Sequence, residues 1–450
     1  MGSKMNRREL VQRVAFLGIS AAAASPLLAA CAPHVSPTVA AVQTQAASVP
    51  TAASTGAEAQ QVLACNGQPL GSQTLRATIE VWSWAAEALS VVVPDFNKLY
   101  PQVQVNISNM SDTQAKAAVA IAAGTGAPDV FSMLGGDSQR YINAGGLLDL
   151  TEVLGACKKD FPAYKIEEAT GNDGKIYAIP WDTGAMGLYY RKDLWEEKGF
   201  EVPKLWSEYI EQGIEFAKDG HFMVEMPKSG SSYYFDVLLQ QAGGSYFRRD
   251  GTVTVDDDLG YQVMTVIKEM YDAGITADIA QWTPGWFSGW KEGTLITNWG
   301  AAWMGHVFPD NIKEDDPTFG QWRIAPLPAF EEGGATSSNQ GGSNLAIPSQ
   351  TKNRDAAVAF AVFAVASLEG QVLGTLAGNV SAYLPAIRDP RVVNATNPIY
   401  GEQKYFALFA DLSEKVPTNF LRAAAYNEAS GAVAMKEIGV KVTEIAAKYK

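Results

Sequence analysis

Residues 78–84, TIEVWSW, alternate apolar and polar side chains, the period of a half-buried strand. AAEALSVVVPDFNKLYP follows with helix-like spacing and ends at Pro101, and VQVNIS (103–108) alternates again. Ser111 and Asp112 stand where caps would open the Ala-rich helix TQAKAAVAIAAG, which stops at Gly124-Thr125-Gly126. APDVFSML then reads as a buried strand. This strand–helix alternation predicts a parallel α/β sheet. Further on, NDGKIYAIP (172–180) is a turn feeding a strand, 185–190 is another strand, and RKDLWEEKGF is a helix closed by Gly199. Helices are predicted near 206–218, 232–242, 257–273 and 283–292, and strands at TLITNW, WRIAPLP (322–328) and NLAIPS (344–349). The segments 353–377, 400–412 and 420–448 read as helical, and no internal repeat is visible.

The start of the chain does not share this patterning. Arg7–Arg8, an uncharged Ala-rich stretch from Val14 to Ala30, and Cys31 form an export signal over residues 1–31. Leu28-Ala29-Ala30-Cys31 resembles a bacterial lipobox, which implies a lipid on Cys31, and the Arg pair resembles a twin-arginine signal. The apolar stretch is short and Ala-rich for a membrane-spanning helix. Residues 32–74 are read as a flexible tether, since 32–60 are nearly free of charges and aromatic rings. The expected location is outside the cytoplasmic membrane, anchored to its outer face. Two cysteines remain beyond Cys31. In an exported protein Cys65 and Cys157 are either a disulfide or two buried thiols, and spacing does not decide between them.

Composition changes this picture little: 47% apolar and 18% charged residues describe a globular body, and 450 residues allow two or three domains. The net charge of -13 becomes -16 once residues 1–30, with four cations and one anion, are removed. An acidic body without a basic run disfavours nucleic acid. GTGAPD lacks a third glycine, carries Pro128 and follows a helix, so it is not a dinucleotide loop. His34, His221 and His306 lack ligand-spaced neighbours, and no G-x-S-x-G elbow occurs, so neither a metal, a cofactor nor a catalytic set is expected. Five of eleven tryptophans fall within QWTPGWFSGWKEGTLITNWGAAWMG (281–305), where Trp282, Trp286 and Trp290 are four apart and so are Trp299 and Trp303.

Several stretches, in order, resemble the sugar-binding group of extracellular solute-binding proteins of bacterial ABC importers, related to maltose-binding protein. They are GTGAPDVFSML with AGGLLDLT (144–151), DGKIYAIPWDTGAMGLYYRKDLWEEKGF (173–200), WKEGTLITNWGAAW, GGSNLAIPSQTKNRDAAVAFAVFAVASLEGQ and AYLPAIRDP. The resemblance covers roughly 75–450. It implies a two-lobed periplasmic-binding-protein-like α/β fold, each lobe a mostly parallel sheet flanked by helices, joined by hinge strands. The N-terminal lobe would hold 75–181 and 329–376, and the C-terminal lobe 182–328 and 377–450. Crossings are expected near Trp181–Gly184, Ala325–Phe330 and Thr375–Tyr383. Closure over a ligand and docking on the transmembrane subunits of a permease follow from the family, with a monomer as the working unit.

A sugar presents C–H faces and a ring of hydroxyls, which call for flat aromatic rings beside short polar groups. In open α/β sheets ligands sit beyond the carboxyl ends of strands. Trp84, at the end of the first strand, is preferred to Trp82, and Asp137 stands either as a hydroxyl acceptor or as a helix cap. Trp181 and Asp182 lie at the first crossing, Ser343 and Asn344 open a strand, and Tyr383 lies in the last crossing. By resemblance Tyr233 forms an aromatic shelf, and Trp299 and Trp303 stand where the family stacks a ring on sugar. Trp290 is assigned to core, Trp286 is expected to reach the cleft before Trp282 does, and Arg422 is either a hydroxyl donor or a salt-bridge partner. The leading expectation is a receptor that binds a neutral carbohydrate, an oligosaccharide, in the cleft between the lobes. A quaternary-amine receptor with a Trp/Tyr box and a secreted glycoside hydrolase are the alternatives.

Overall fold

The computed structural model describes residues 62–418 except 66, 73, 229–232, 249–251 and 256. The expected export signal with Cys31, the expected tether up to residue 61, Arg422 and the expected helix 420–448 lie outside the described residues. Among the described residues there are ten strands: β1 (Ala77–Ser83), β2 (Val103–Asn109), β3 (Val130–Leu134), β4 (Ala178–Pro180), β5 (Met186–Arg191), β6 (Val224–Glu225), β7 (Thr276–Ala277), β8 (Thr297–Ala301), β9 (Trp322–Ala325) and β10 (Ser343–Ala346).

The first lobe is built on a five-stranded sheet of order β2-β1-β3-β10-β4. β1 pairs in parallel with β2, from Ala77↔Val103 to Ser83↔Asn109, and with β3. The alternation of TIEVWSW turns Ile79, Val81 and Ser83 inward. β3, β10 and β4 are almost wholly buried, as strands covered on both faces must be. Their cover includes the helix Arg354–Ala366, buried from Ala356 to Val365. The single helix expected over 353–377 is in fact two, Arg354–Ala366 and Leu368–Leu376, bent by 60°. Ser367 is the cause: it is extended, and its hydroxyl accepts from Gly370 N at 3.1 Å, an N-cap that starts a new helix.

The second lobe carries a three-stranded sheet, β8-β5-β9, and a separate parallel pair, β6–β7. Both ladders of the three-stranded sheet are antiparallel, from Met186↔Ala301 to Tyr190↔Thr297 and from Leu188↔Ala325 to Arg191↔Trp322. Strand direction here differs from the parallel expectation, because β5 pairs with two strands, β8 and β9, that lie more than 100 residues further along the chain and not with the next strand of a local strand–helix–strand unit. Alternate residues of β5 feed two cores. Tyr189 packs with Phe308, Trp322 and the helix Tyr405–Glu414, while Met186 and Leu188 pack with Trp195, Trp206, Trp299 and the helix Tyr233–Gln241.

Two boundaries differ from expectation. The tether does not extend to residue 74. Val62 and Ala64 are buried, Leu63 bridges Pro69, and Cys65 is bonded to Cys157. Nor does the second crossing lie at 325–330, since Ala329 still pairs with Leu205 and Ser338 O still accepts from Met186 N at 3.0 Å. The chain leaves the second lobe only at Asn339–Ser343.

The disulfide closes a separation of 92 residues and pins the end of the tether to the first lobe. Cross-linking that span restricts the unfolded chain. Cys65→Ser with Cys157→Ser is expected to lower stability by roughly 2–4 kcal/mol, read from the guanidinium unfolding midpoint with and without reductant; the double variant should be insensitive to the reductant.

Candidate functional site

Three passages of chain between the lobes run side by side. Asp182 bridges Ser381, and Ala185 bridges Asn339. Trp181 N donates to Ser343 O (3.0 Å), Ala382 N to Trp181 O (2.9 Å), Thr183 N to Val380 O (2.9 Å) and Gln340 N to Gly184 O (2.9 Å). The approach is close enough that a Cβ on Gly184 would meet Asn339 Oδ1 at 2.2 Å and Gly341 O at 2.7 Å, so only glycine fits. Gly341 and Gly342 follow with φ of +74° and +78°.

Buried polar groups lock these passages. Asp182 Oδ1 accepts from Ser343 N at 2.6 Å. Burial pushes the Asp182 carboxyl above its usual range, and the nearby Lys165 ammonium opposes that shift. Lys165, itself fully buried, donates to Glu168 Oε2 at 2.8 Å, and Glu168 Oε1 accepts from Asn339 Nδ2 at 3.3 Å. Tyr164 OH, Thr183 Oγ1 and Ser413 Oγ form a chain of 2.9 Å contacts that ties the first-lobe helix Ala163–Ala169 to Tyr405–Glu414.

The loop Gln340–Gly342 is the floor from which two walls rise. On the first-lobe side Gly342 O accepts from Gly135 N at 2.9 Å, at the carboxyl end of β3. Asp137 lies two residues further on. It occupies the N-cap position of the helix Ser138–Asn143 but makes no side-chain cap bond; its Oδ2 accepts from Gln114 Nε2 at 3.2 Å. Trp84 stands at the end of the neighbouring β1, partly buried and outside all three cores, whereas Trp82 packs onto the first core. On the second-lobe side Trp303 Nε1 donates to Gln340 O at 3.0 Å, and Ala301 N donates to Gln340 Oε1 at 3.3 Å. The Trp303 ring stacks on Trp282, with centroids 5.9 Å apart and planes 18° apart.

Of the expected site residues, the structure brings Trp84, Asp137, Trp303, Ser343 and the crossing residues Trp181, Asp182 and Tyr383 to this region. It does not expose all of them. Trp181 is buried in the first core, Ser343 is held by Asp182, and Asn344 donates from Nδ2 to Ser138 Oγ at 2.9 Å. Tyr383 packs against both the first and second cores, 5.4 Å from Phe161. Tyr233 donates its hydroxyl to Trp299 O at 2.8 Å.

Two tryptophans differ from expectation. Trp299 presents no free face: it is 1% exposed, lies 4.6 Å from Trp206 and 5.9 Å from Tyr234, and donates Nε1 to Tyr209 OH. The alternation of β8 turns it into the third core. The order of Trp282 and Trp286 is also reversed. Trp286, with Trp290, is sealed among rings at 4.2 Å, while Trp282 is 54% exposed. Thr283 is the reason. It N-caps the helix Pro284–Glu292, so Trp286 falls on the inner face and Trp282 is left outside the helix. The Thr-Pro pair was the available signal for that helix start.

Glu225, which sequence reasoning missed, lies beneath this platform. It is 1% exposed at the end of β6. Its Oε1 accepts from Gln281 Nε2 (2.8 Å), Tyr234 OH (3.3 Å) and Asn298 Nδ2 (3.4 Å), while Oε2 has no partner. Burial lifts its carboxyl to about 7 against these hydrogen bonds. The Trp286 indole faces it without reaching hydrogen-bond geometry.

The family model for bacterial extracellular solute-binding proteins matches residues 82–367. The arabinooligosaccharide-binding protein of Halalkalibacterium halodurans is 27% identical over 65% of this chain and 64% of its own length, so the match spans just under two thirds of that relative. The lactose-binding protein of Rhizobium radiobacter is 24% identical over 75% of this chain and 82% of its own length. Among solved structures, the ABC transporter associated binding protein of B. animalis subsp. lactis Bl-04 in complex with β-1,6-galactobiose aligns with a TM-score of 0.64 and 25% identity over 82% of this chain and 98% of that one. The galacto-N-biose/lacto-N-biose I-binding protein of Bifidobacterium longum shares the fold, with a TM-score of 0.66 and 19% identity over 84% of this chain and 99% of that one.

The crossing network has a direct test. Asp182→Ala leaves the buried Ser343 N–H without its acceptor and weakens compensation of Lys165. It is expected to cost about 1–3 kcal/mol in urea unfolding, whereas Asp315→Ala, at an exposed position, should change stability by no more than about 0.5 kcal/mol.

Proposed function

The chain belongs to the bacterial extracellular solute-binding proteins, and from that premise we propose that it captures a neutral oligosaccharide between its lobes for an ABC importer. The observation that carries this reading is the Trp282–Trp303 pair. A tryptophan 54% exposed, stacked on a second ring beside the interlobe floor, is a hydrophobic face kept in water. Such a face suits the C–H side of a sugar ring, and its flatness fixes the orientation of what it holds. Trp84 supplies a ring on the opposite wall. Asp137 accepts hydroxyls, its carboxylate already oriented by Gln114. Trp181, Asp182, Trp286, Trp299, Ser343 and Asn344 act behind these residues, holding the walls and floor. Tyr383 and Tyr233 flank them, and Arg422 is kept as a candidate donor.

Bending at the three crossings closes the walls over the ligand, and the closed form docks on the transmembrane subunits of the permease. The relatives support a sugar ligand by their own ligands, an arabinooligosaccharide and lactose. Residues 1–31 direct export, Cys31 carries the lipid, and the receptor works as a monomer tethered outside the membrane. The relatives are binding proteins, and the reading assigns no catalytic step.

Thermal-shift screening against neutral di- and oligosaccharides, betaine and choline tests the ligand class. At least one sugar should raise the melting temperature in a concentration-dependent way. A shift with betaine or choline alone would overturn the carbohydrate reading. Trp303→Ala should weaken the best sugar about tenfold or more by calorimetry, the equivalent of roughly 1.4 kcal/mol. Cys31→Ala should abolish incorporation of labelled fatty acid and release the protein from the membrane fraction.

A further inference from the structure

Trp282 has a backbone φ of +65°, a left-handed conformation that costs a bulky residue free energy and persists only where neighbours impose it. Both neighbours are anchored. On one side Thr283 donates its hydroxyl to Ala280 O at 2.8 Å and caps the following helix, with Pro284 fixing the first turn. On the other side Gln281 Nε2 donates to the buried Glu225 Oε1 at 2.8 Å. The ring that results is exposed and stacked on Trp303, so the strain serves the presentation of a surface and not the filling of a core.

Glu225 is an expensive anchor. A glutamine would accept the same bonds without a charge to desolvate, yet a carboxyl is buried here with one oxygen unpartnered. Among the described residues no ion pair involves it. The neutral groups facing it are Gln281, Trp286 and, from β8, Asn298. The titratable groups that feel it are Tyr234 and Tyr209, from the helices Tyr233–Gln241 and Trp206–Ala217, both pushed above the usual phenol range by burial and by its charge. Tyr271 points its hydroxyl at Met226 O and Pro227 O, and Asp278 is engaged by Lys228 N. Among these groups it is the Glu225 carboxyl that burial lifts to about 7.

We propose that Glu225 is the positioning residue of the Trp282–Trp303 platform, fixing through Gln281 the strained backbone that presents Trp282, so that its ionisation makes ligand capture depend on pH. The inference rests on the sugar-receptor reading for its consequence, but not for its mechanism. Ionised, the carboxylate accepts a charge-assisted bond from Gln281 and holds the platform firmly; protonated, it accepts a weaker one and the strained turn relaxes. Burial places this change near pH 7.

The experiment follows tryptophan emission and near-ultraviolet circular dichroism of the full-length, ligand-free protein from pH 5.5 to 8.5. The wild type should show a transition with a midpoint near 7, absent from both Trp282→Phe and Glu225→Gln. Affinity for the best sugar should be several-fold weaker at pH 6 than at pH 8 in the wild type and flat in Glu225→Gln. Gln281→Ala, which leaves the buried carboxyl in place, should also lose the Trp282 transition, and it decides the matter if Glu225→Gln does not fold. A flat wild-type spectrum, or a transition that survives in Glu225→Gln or Gln281→Ala, overturns the inference. A transition that behaves as stated in a protein that binds no sugar leaves the positioning role standing and removes the sugar reading instead.

Discussion

Everything else in the molecule depends on three strands of chain passing between the lobes within hydrogen-bond distance of one another. The backbone bonds from Trp181 to Ser343, from Ala382 to Trp181 and from Gln340 to Gly184 make one narrow ribbon of them. A single connection would leave the lobes free to swivel in any direction. Three bonded side by side restrict them to bending, the motion a clamp requires. The restriction is paid for locally, by a glycine at 184 that admits no side chain and by charges buried at Asp182 and Lys165.

That ribbon also decides where chemistry is possible. It leaves Gln340–Gly342 as a floor shared by both lobes, bonded to Gly135 on one side and to Trp303 on the other. The aromatic residues are sorted around it by capping and alternation. Trp290 stacks on Phe308 in the second core, Trp299 is enclosed by Trp206 and Tyr234 in the third, and of the five tryptophans in 281–305 Trp282 and Trp303 are the two left to face outward. Most of the tryptophan richness of residues 281–305 therefore builds the wall, and a small part forms the surface.

Much of the fold was legible in the sequence. The strand β1 and the helices Trp206–Ala217, Asp258–Asp272 and Pro284–Glu292 fall within a residue or two of where periodicity and caps placed them. Trp84 and Asp137 were singled out by the rule that sites lie beyond the carboxyl ends of strands, and both stand at such ends, after β1 and β3. The errors have a common source. The break at Ser367, the order of Trp282 and Trp286, and the enclosure of Trp299 each turn on one residue whose direction is set by a hydrogen bond or a packing partner distant in sequence. Glu225 was invisible because its neighbours, Gln281 and Asn298, lie 56 and 73 positions away.

By itself the sequence determined the element types and the ordered motifs that resemble a sugar-binding family, because periodicity, capping and short motifs are local properties of the chain. It also supplied the two cysteines without deciding their state. Only the tertiary structure joined Cys65 to Cys157, turned the second sheet antiparallel, moved the second crossing to Asn339–Ser343 and buried a carboxyl under an exposed tryptophan. Each of those outcomes is a contact between segments tens to hundreds of residues apart, and its energy depends on burial that no local pattern encodes.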